Sequence, residues 1–181
     1  MIKRLARALE KEYEAREKAL KIQRKALALC REAINELHIG KKSEKERRIR
    51  SHIKQIERIL SKYPCQKEAA LGIVYQEYAE YLILKSILEK KRVKIGLPAK
   101  YVLMGFGDAV GEVKRRVIVL LSEGRLEEAQ KIYESLKQAS ADFLSIALPN
   151  SIIPTLKKKQ DICRYALKDI AEAIFYAKSR K

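Results

Sequence analysis

The chain has no tryptophan, three phenylalanines, three cysteines, two histidines, four prolines and seven glycines in 181 residues. Cys30, Cys65 and Cys163 are scattered and form no C-x-x-C pair. That argues against a disulfide framework and a thiolate zinc site, and leaves three small buried apolar side chains as the expectation. With only His38 and His52 beside them, soft-metal chemistry is excluded too, so any metal must be a hard cation held by oxygen. The shortage of glycine and proline argues against a turn-rich β-architecture. No apolar stretch is long and charge-free enough to span a bilayer. The start, Met1-Ile2-Lys3-Arg4-Leu5-Ala6-Arg7, lacks the apolar core and cleavage site of a signal peptide. The expectation is a soluble, cytoplasmic protein.

What the chain does have is charge and helical periodicity. Charged residues make up 35%, and 40 basic residues face 23 acidic ones, a formal net charge of +17. Heat-adapted surfaces are also rich in lysine, but they raise glutamate alongside it. The imbalance points instead to a polyanionic partner, bound with counterion release if it is nucleic acid. The length suits one domain, residues 1–181, with a real core.

Six helices account for nearly all of the chain, and no segment has a strand period. The first is expected over Ile2 to Leu37, with a seam of alternating four- and three-residue steps through Leu9, Tyr13, Arg16, Leu20, Gln23, Leu27, Cys30, Ile34 and Leu37. Arg16 and Gln23 read as register devices or inward polar groups, and Gly40 as the C-terminal cap. Ser43 with Glu46 predicts a capping box opening a second helix that runs to Ser61. From Lys41 to Lys62 nine basic residues stand against three acidic ones, which makes one face of that helix positive. The third helix, about Cys65 to Arg92, is apolar nearly all round from Ala69 to Leu88 and should be buried on most sides. The fourth opens at Pro98, a favoured first helical position, and ends before Gly124. The fifth spans Arg125 to Ala147, and the last runs from about Pro154 to the end. Short breaks between long helices predict an all-α antiparallel bundle of six to seven helices. Gly124-Arg125-Leu126-Glu127-Glu128-Ala129 with Tyr133 resembles half a tetratricopeptide repeat, but no second copy follows, so a solenoid is excluded.

In so basic a chain, acids inside apolar helices need a reason. Glu77 and Glu80 are three apart and share a face of the third helix; Asp108 and Glu112 are four apart and share a face of the fourth. Ionised carboxylates in apolar surroundings are costly unless paired or bound to metal. One resolution is ion pairing with Lys85, Lys114, Arg115 or Arg116. The other, favoured for two same-face pairs on consecutive helices, is a site for Mg²⁺ or Mn²⁺. Beside a positive surface, such a site suits phosphodiester or phosphoanhydride chemistry. Arg115 and Arg116, one turn past Glu112, are placed to hold a phosphate. Arg24, Arg31 and His38, seven apart, line one stripe of the first helix that differs from the apolar seam; it either tracks a phosphate backbone or is plain solvated surface. Tyr78 and Tyr81 lie beside the acids, with core packing favoured over contact with a base.

These residues carry a family resemblance. Gln76-Glu77-Tyr78-Ala79-Glu80 resembles the Q-E-Y-x-E motif of translin-associated factor X. Tyr101-Val102-Leu103-Met104-Gly105-Phe106-Gly107-Asp108-Ala109-Val110-Gly111-Glu112 resembles its Y-L-L-G-x-x-D-x-x-G-E segment. Leu156 to Arg164 is similar to the L-R-R-K-x-D-x-x-R stretch of archaeal relatives, and Arg24, Arg31 and His38 fall near matching basic positions. The resemblance implies a translin-like all-α fold and an oligomer, as large as an octameric closed barrel, that encloses RNA. It also implies a Mg²⁺-dependent endoribonuclease subunit of the archaeal type, with Glu77, Glu80, Asp108 and Glu112 as catalytic metal ligands.

Two other functions compete. Translin itself binds RNA or single-stranded DNA without the full acidic set, so a non-catalytic binder is the nearer alternative. All-α nucleoside triphosphate pyrophosphatases also hold Mg²⁺ with E-x-x-E on one helix, but their second pair is E-x-x-D, whereas this chain has D-x-x-x-E. A small nucleotide also needs no wide basic surface. A di-iron bundle ranks fourth, because its Glu-x-x-His pairs are absent.

Overall fold

A computed structural model describes residues 1–179, and in these it is helical with no strand. The helices are α1 (Ile2–His38), α2 (Glu46–Ile59), α3 (Pro64–Glu89), α4 (Ala99–Ser122), α5 (Leu126–Ser145) and α6 (Leu156–Ser179). None is long and apolar enough to cross a membrane among the described residues. The chain packs as two compact units that meet within α3, one ending at Tyr78 and the other beginning at Ala79.

In the first unit, α1 and α2 pack through small and β-branched side chains. Ala26, Cys30, Ala33 and Leu37 of α1 are buried, as are Ile49, Ile53 and Ile56 of α2. The expected α1 seam holds in its second half and fails in its first: Leu9 is 67% and Tyr13 62% exposed. Seam periodicity shows that a helix has an apolar face, not what covers it. Gln23 turns inward, its amide donating to the Ala70 carbonyl at 2.7 Å, while Arg16 is exposed and pairs with Glu17. The expected capping box does not form. Lys45 takes the N-cap of α2, and Ser43 Oγ instead accepts the Lys45 backbone N–H at 3.3 Å. Lys45 is held by an ion pair to Glu36, which keeps the Glu36 carboxyl below its usual range. Tertiary pairing thus sets where α2 begins. Gly40 does cap α1: at φ +71° it lets Lys41 N–H reach Glu36 O and Gly40 N–H reach Leu37 O, a Schellman closure.

In the second unit, α4 packs against α5 and α6, and α5 packs against α6. Val110, Val113, Val117 and Leu120 of α4 meet a core of Ile132, Leu136 and Phe143 from α5 with Cys163, Ala166, Ile170 and Ile174 from α6. Gln160 donates to the carbonyls of Phe143 (3.0 Å) and Ile146 (2.8 Å), satisfying the C-terminal end of α5. Pro98 is the N-cap of α4 and not its first helical residue. Cys30 and Cys163 are buried as expected, whereas Cys65, in the first turn of α3, is exposed.

Gly124 (φ +74°) closes α4 in the same way as Gly40 closes α1. The residue after α3 differs: Lys90 adopts φ 51°, the left-handed region, without being glycine. That conformation costs a non-glycine residue about 1 kcal/mol. Lys90→Gly should therefore raise the unfolding free energy by about 0.5–1 kcal/mol in a urea titration, and a lower value would show that the lysine side chain stabilises this turn.

Candidate active site

The two acidic pairs lie on the helices the spacing assigned to them. Glu77 and Glu80 sit on α3, Glu77 at the end of the first unit and Glu80 near the start of the second, and both are half-buried. Next to them α3 has no solvent face, since Tyr81, Leu82, Ile83 and Leu84 are all buried. Tyr78 is buried as well, and Arg50 Nε donates to its hydroxyl at 2.7 Å. Both tyrosines are therefore core, and neither offers a ring face to a base.

Asp108 and Glu112 lie one turn apart on α4, both half-buried beside the fully buried run Ala109, Val110 and Val113. Each carboxylate is answered by a cation. Arg115 Nη1 stands 3.5 Å from Glu112 Oε2, one turn along the same helix, and its side chain is 59% exposed. Lys159 of α6 donates its ammonium to Asp108 Oδ1 at 2.5 Å, with side-chain exposures of 11% for the lysine and 33% for the aspartate. At that partial exposure the pair is worth about 1–2 kcal/mol, because solvent still screens the acid. Arg116 lies 4.0 Å from Glu128 of α5, and Lys114 pairs with Asp169 of α6. Of the two arginines expected to hold phosphate, Arg115 alone is exposed.

The approach of Lys159 is made possible by a glycine. A Cβ at Gly107 would fall 2.6 Å from Lys159 Cβ, 2.7 Å from Cδ and 2.8 Å from Cγ. The lysine stem lies in the groove that Gly107 opens on α4. In sequence Lys159 is the third of three consecutive lysines, set apart only as the lysine of the stretch similar to L-R-R-K-x-D-x-x-R. The usable signal is helical phase: the buried positions of α6 run through Leu156, Lys159, Gln160, Cys163, Ala166, Ile170 and Ile174. Lys157 and Lys158 fall outside that face and are exposed.

Among the described residues, no three His, Cys, Asp or Glu side chains gather tightly enough to form a ready-made metal cage. A Mg²⁺ site does not require one. This ion is held by one or two carboxylates, with waters and substrate phosphates completing its shell. The all-oxygen pair on α4, partly open to solvent, fits that chemistry.

The basic residues expected to track a backbone lie in the first unit. Arg24 and Arg31 are exposed on α1, and His38 at its end is half-buried. On α2, Arg47, Arg48, Arg50, Lys54 and Arg58 are exposed opposite the buried isoleucines. Burial, and after it the charges of Arg48 and Lys25, hold the His52 imidazole below its ordinary value. Its neutral form is favoured, so the positive charge of this surface comes from lysine and arginine.

An all-α chain with same-face carboxylates on two long helices and a strongly basic surface defines a class of helical protein. Residues 72–181, more than half of its length, match the Translin family, and the chain belongs to that family. Its fold is shared with solved structures of C3PO. Against AfC3PO in complex with duplex RNA the TM-score is 0.80 at 22% identity, covering 99% of this chain and 97% of that one. Against AfC3PO alone it is 0.79 at 23% identity, over 99% and 98% of the two chains. Against apo-NeC3PO it is 0.84 at 22% identity, over 97% and 96%. A search of curated proteins returns no match.

Proposed function

We infer that this protein is a Mg²⁺-dependent endoribonuclease subunit that cleaves phosphodiesters of RNA bound to its basic surface. The observation that carries this reading is the α4 face. There Asp108 and Glu112 lie one turn apart and half-buried, with Arg115 exposed beside them, in a Translin-family chain of net charge +17. The duplex RNA in the AfC3PO complex supports RNA as the class of ligand.

Asp108 and Glu112 are the two carboxylates that would hold Mg²⁺, and Glu80 on α3 of the same unit would support them; Mn²⁺ suits the same oxygen donors. A bound ion of this kind supplies an activated water and neutralises charge on the departing oxygen. The remaining work falls to the chain. Arg115 can swing from Glu112 to a backbone phosphate, since an exposed arginine–carboxylate pair is weakly held. Arg24 and Arg31 add backbone contacts that position the strand without reading its sequence.

Incubation with single-stranded RNA and Mg²⁺ should give cleavage that stops on addition of EDTA. Binding should weaken steeply as salt rises from 50 to 200 mM, by about 100-fold or more if several phosphates are contacted. Steep salt-dependent binding without cleavage would favour the non-catalytic translin-type alternative, and release of pyrophosphate from free nucleotides the pyrophosphatase one.

Assembly into a closed homo-oligomer belongs to the same reading. Ile2, Leu5, Leu9 and Tyr13 form an exposed apolar stripe on the first turns of α1, and a second copy is its natural cover. Analytical ultracentrifugation should give a species larger than a dimer, and a strict monomer at micromolar concentration would overturn this part.

A further inference from the structure

The ion pair between Lys159 and Asp108 joins a lysine that is nearly buried to an acid that the nuclease reading needs for metal. The lysine stem is seated against Gly107, its ammonium reaches Asp108 Oδ1, and the neighbouring Lys157 and Lys158 remain at the surface. An ammonium and a divalent cation compete for the same carboxylate oxygen.

We propose that Lys159 is the resident cation of this site: it neutralises Asp108 in the metal-free chain and must cede the carboxylate when a divalent ion loads. This rests on the metal-dependent reading above and adds a control element to it. Two consequences follow from the geometry. The resident charge weakens metal binding in the absence of RNA, because loading breaks an existing pair and also brings like charges together. The displaced ammonium, only 11% exposed and anchored by its stem, then needs another anion close by, and a backbone phosphate supplies one. Lys159 would thus favour metal loading when RNA is present over loading of the empty protein, a coupling that must act equally in both directions. Lys159 is in this sense a positioning residue for Asp108.

The test is a Mn²⁺ titration of the full-length protein, followed by electron paramagnetic resonance without RNA, so that the readout does not depend on cleavage. Lys159→Met keeps the stem length and apolar packing and removes the charge. Lys159→Gln provides a second variant that still offers Asp108 a hydrogen bond, and Lys159→Arg restores the charge. The expected result is Mn²⁺ affinity at least tenfold higher in Lys159→Met and Lys159→Gln than in wild type, with Lys159→Arg returning to within about threefold of it. Circular dichroism melts identify a variant that fails to fold, and the other neutral variant then decides the outcome. Wild-type affinity in both neutral variants would overturn the proposal while leaving the nuclease reading intact. No Mn²⁺ binding by any of the proteins would overturn both. Binding by the neutral variants alone would be the strongest form of support, with the lysine excluding metal outright until RNA arrives.

Discussion

Asp108→Asn is expected to lower Mg²⁺-dependent RNA cleavage by about 100-fold or more, equivalent to roughly 3 kcal/mol of transition-state stabilisation. The substitution preserves shape and removes the charge for which a hard cation is held. It also leaves Lys159 facing a neutral amide, and this separates two effects that would otherwise be confused. Because Asp108 is one-third exposed while Lys159 is nearly buried, the lost ion pair should cost about 1–2 kcal/mol of stability, visible as a drop in melting temperature. Glu80→Gln, on α3, provides the companion: cleavage should fall similarly, and the Lys159 pair is untouched. Both variants should bind single-stranded RNA within about twofold of wild type, since the arginines and lysines of α1 and α2 remain. Equal cleavage by wild type and both variants would remove these acids from the active site. Loss of RNA binding in step with cleavage would show that the substitutions act through folding or assembly.

Gly107→Ala should destabilise the protein. The added carbon would sit 2.6 Å from Lys159 Cβ, closer than carbon atoms approach one another, and the obstacle is the base of the side chain, not its mobile end. Relief requires α6 to shift against α4, with disturbance of Gln160 and Cys163 next to the lysine. Overpacking of this kind costs about 1–3 kcal/mol, or roughly 3–10 °C in melting temperature for a chain of this size. Gly111→Ala, one turn further along the same helix, supplies the contrast. A methyl group there would meet nothing within 4 Å, and the residue is exposed. That substitution should stabilise the protein by about 0.5–1 kcal/mol through helix propensity. Opposite signs from two glycine-to-alanine changes four residues apart would establish that Gly107 is kept for the lysine groove; matching signs would refute it.

Much of the fold is legible in the sequence because it rests on local physics. Periodicity places all six helices with their ends displaced by a few residues, and the clearest stops are Gly40 and Gly124, where the backbone enters the left-handed region. Starts are harder to place. Ser43 and Glu46 satisfy a capping-box pattern, yet Lys45, drawn to Glu36 on α1, holds the N-cap. Prolines mislead by one position: Pro64 lies inside α3, and Pro98 lies outside α4. The α1 seam runs the whole length of the helix in sequence, and its first turns are bare in the fold.

The candidate site divides in the same way. Helical spacing alone puts Asp108 and Glu112 on one face of α4 and Glu77 and Glu80 together on α3, since three- and four-residue steps return to the same side of a helix. Net charge alone points to a polyanion. The partner of each acid is beyond such reasoning. Of the bases weighed against the acids, Arg115 does stand beside Glu112 and Lys114 pairs with Asp169 of α6.

By itself the sequence determined the all-helical class, most helix ends, the two same-face acidic pairs and the basic character, because each depends on residues within a few positions of one another. Tertiary structure alone decided that Lys159, and not Lys157 or Lys158, reaches Asp108 across 51 residues of chain, and that Gly107 makes the room. The reason is that packing α6 on α4 selects which side of each helix turns inward, and an ion pair between helices exists only in the register that packing selects.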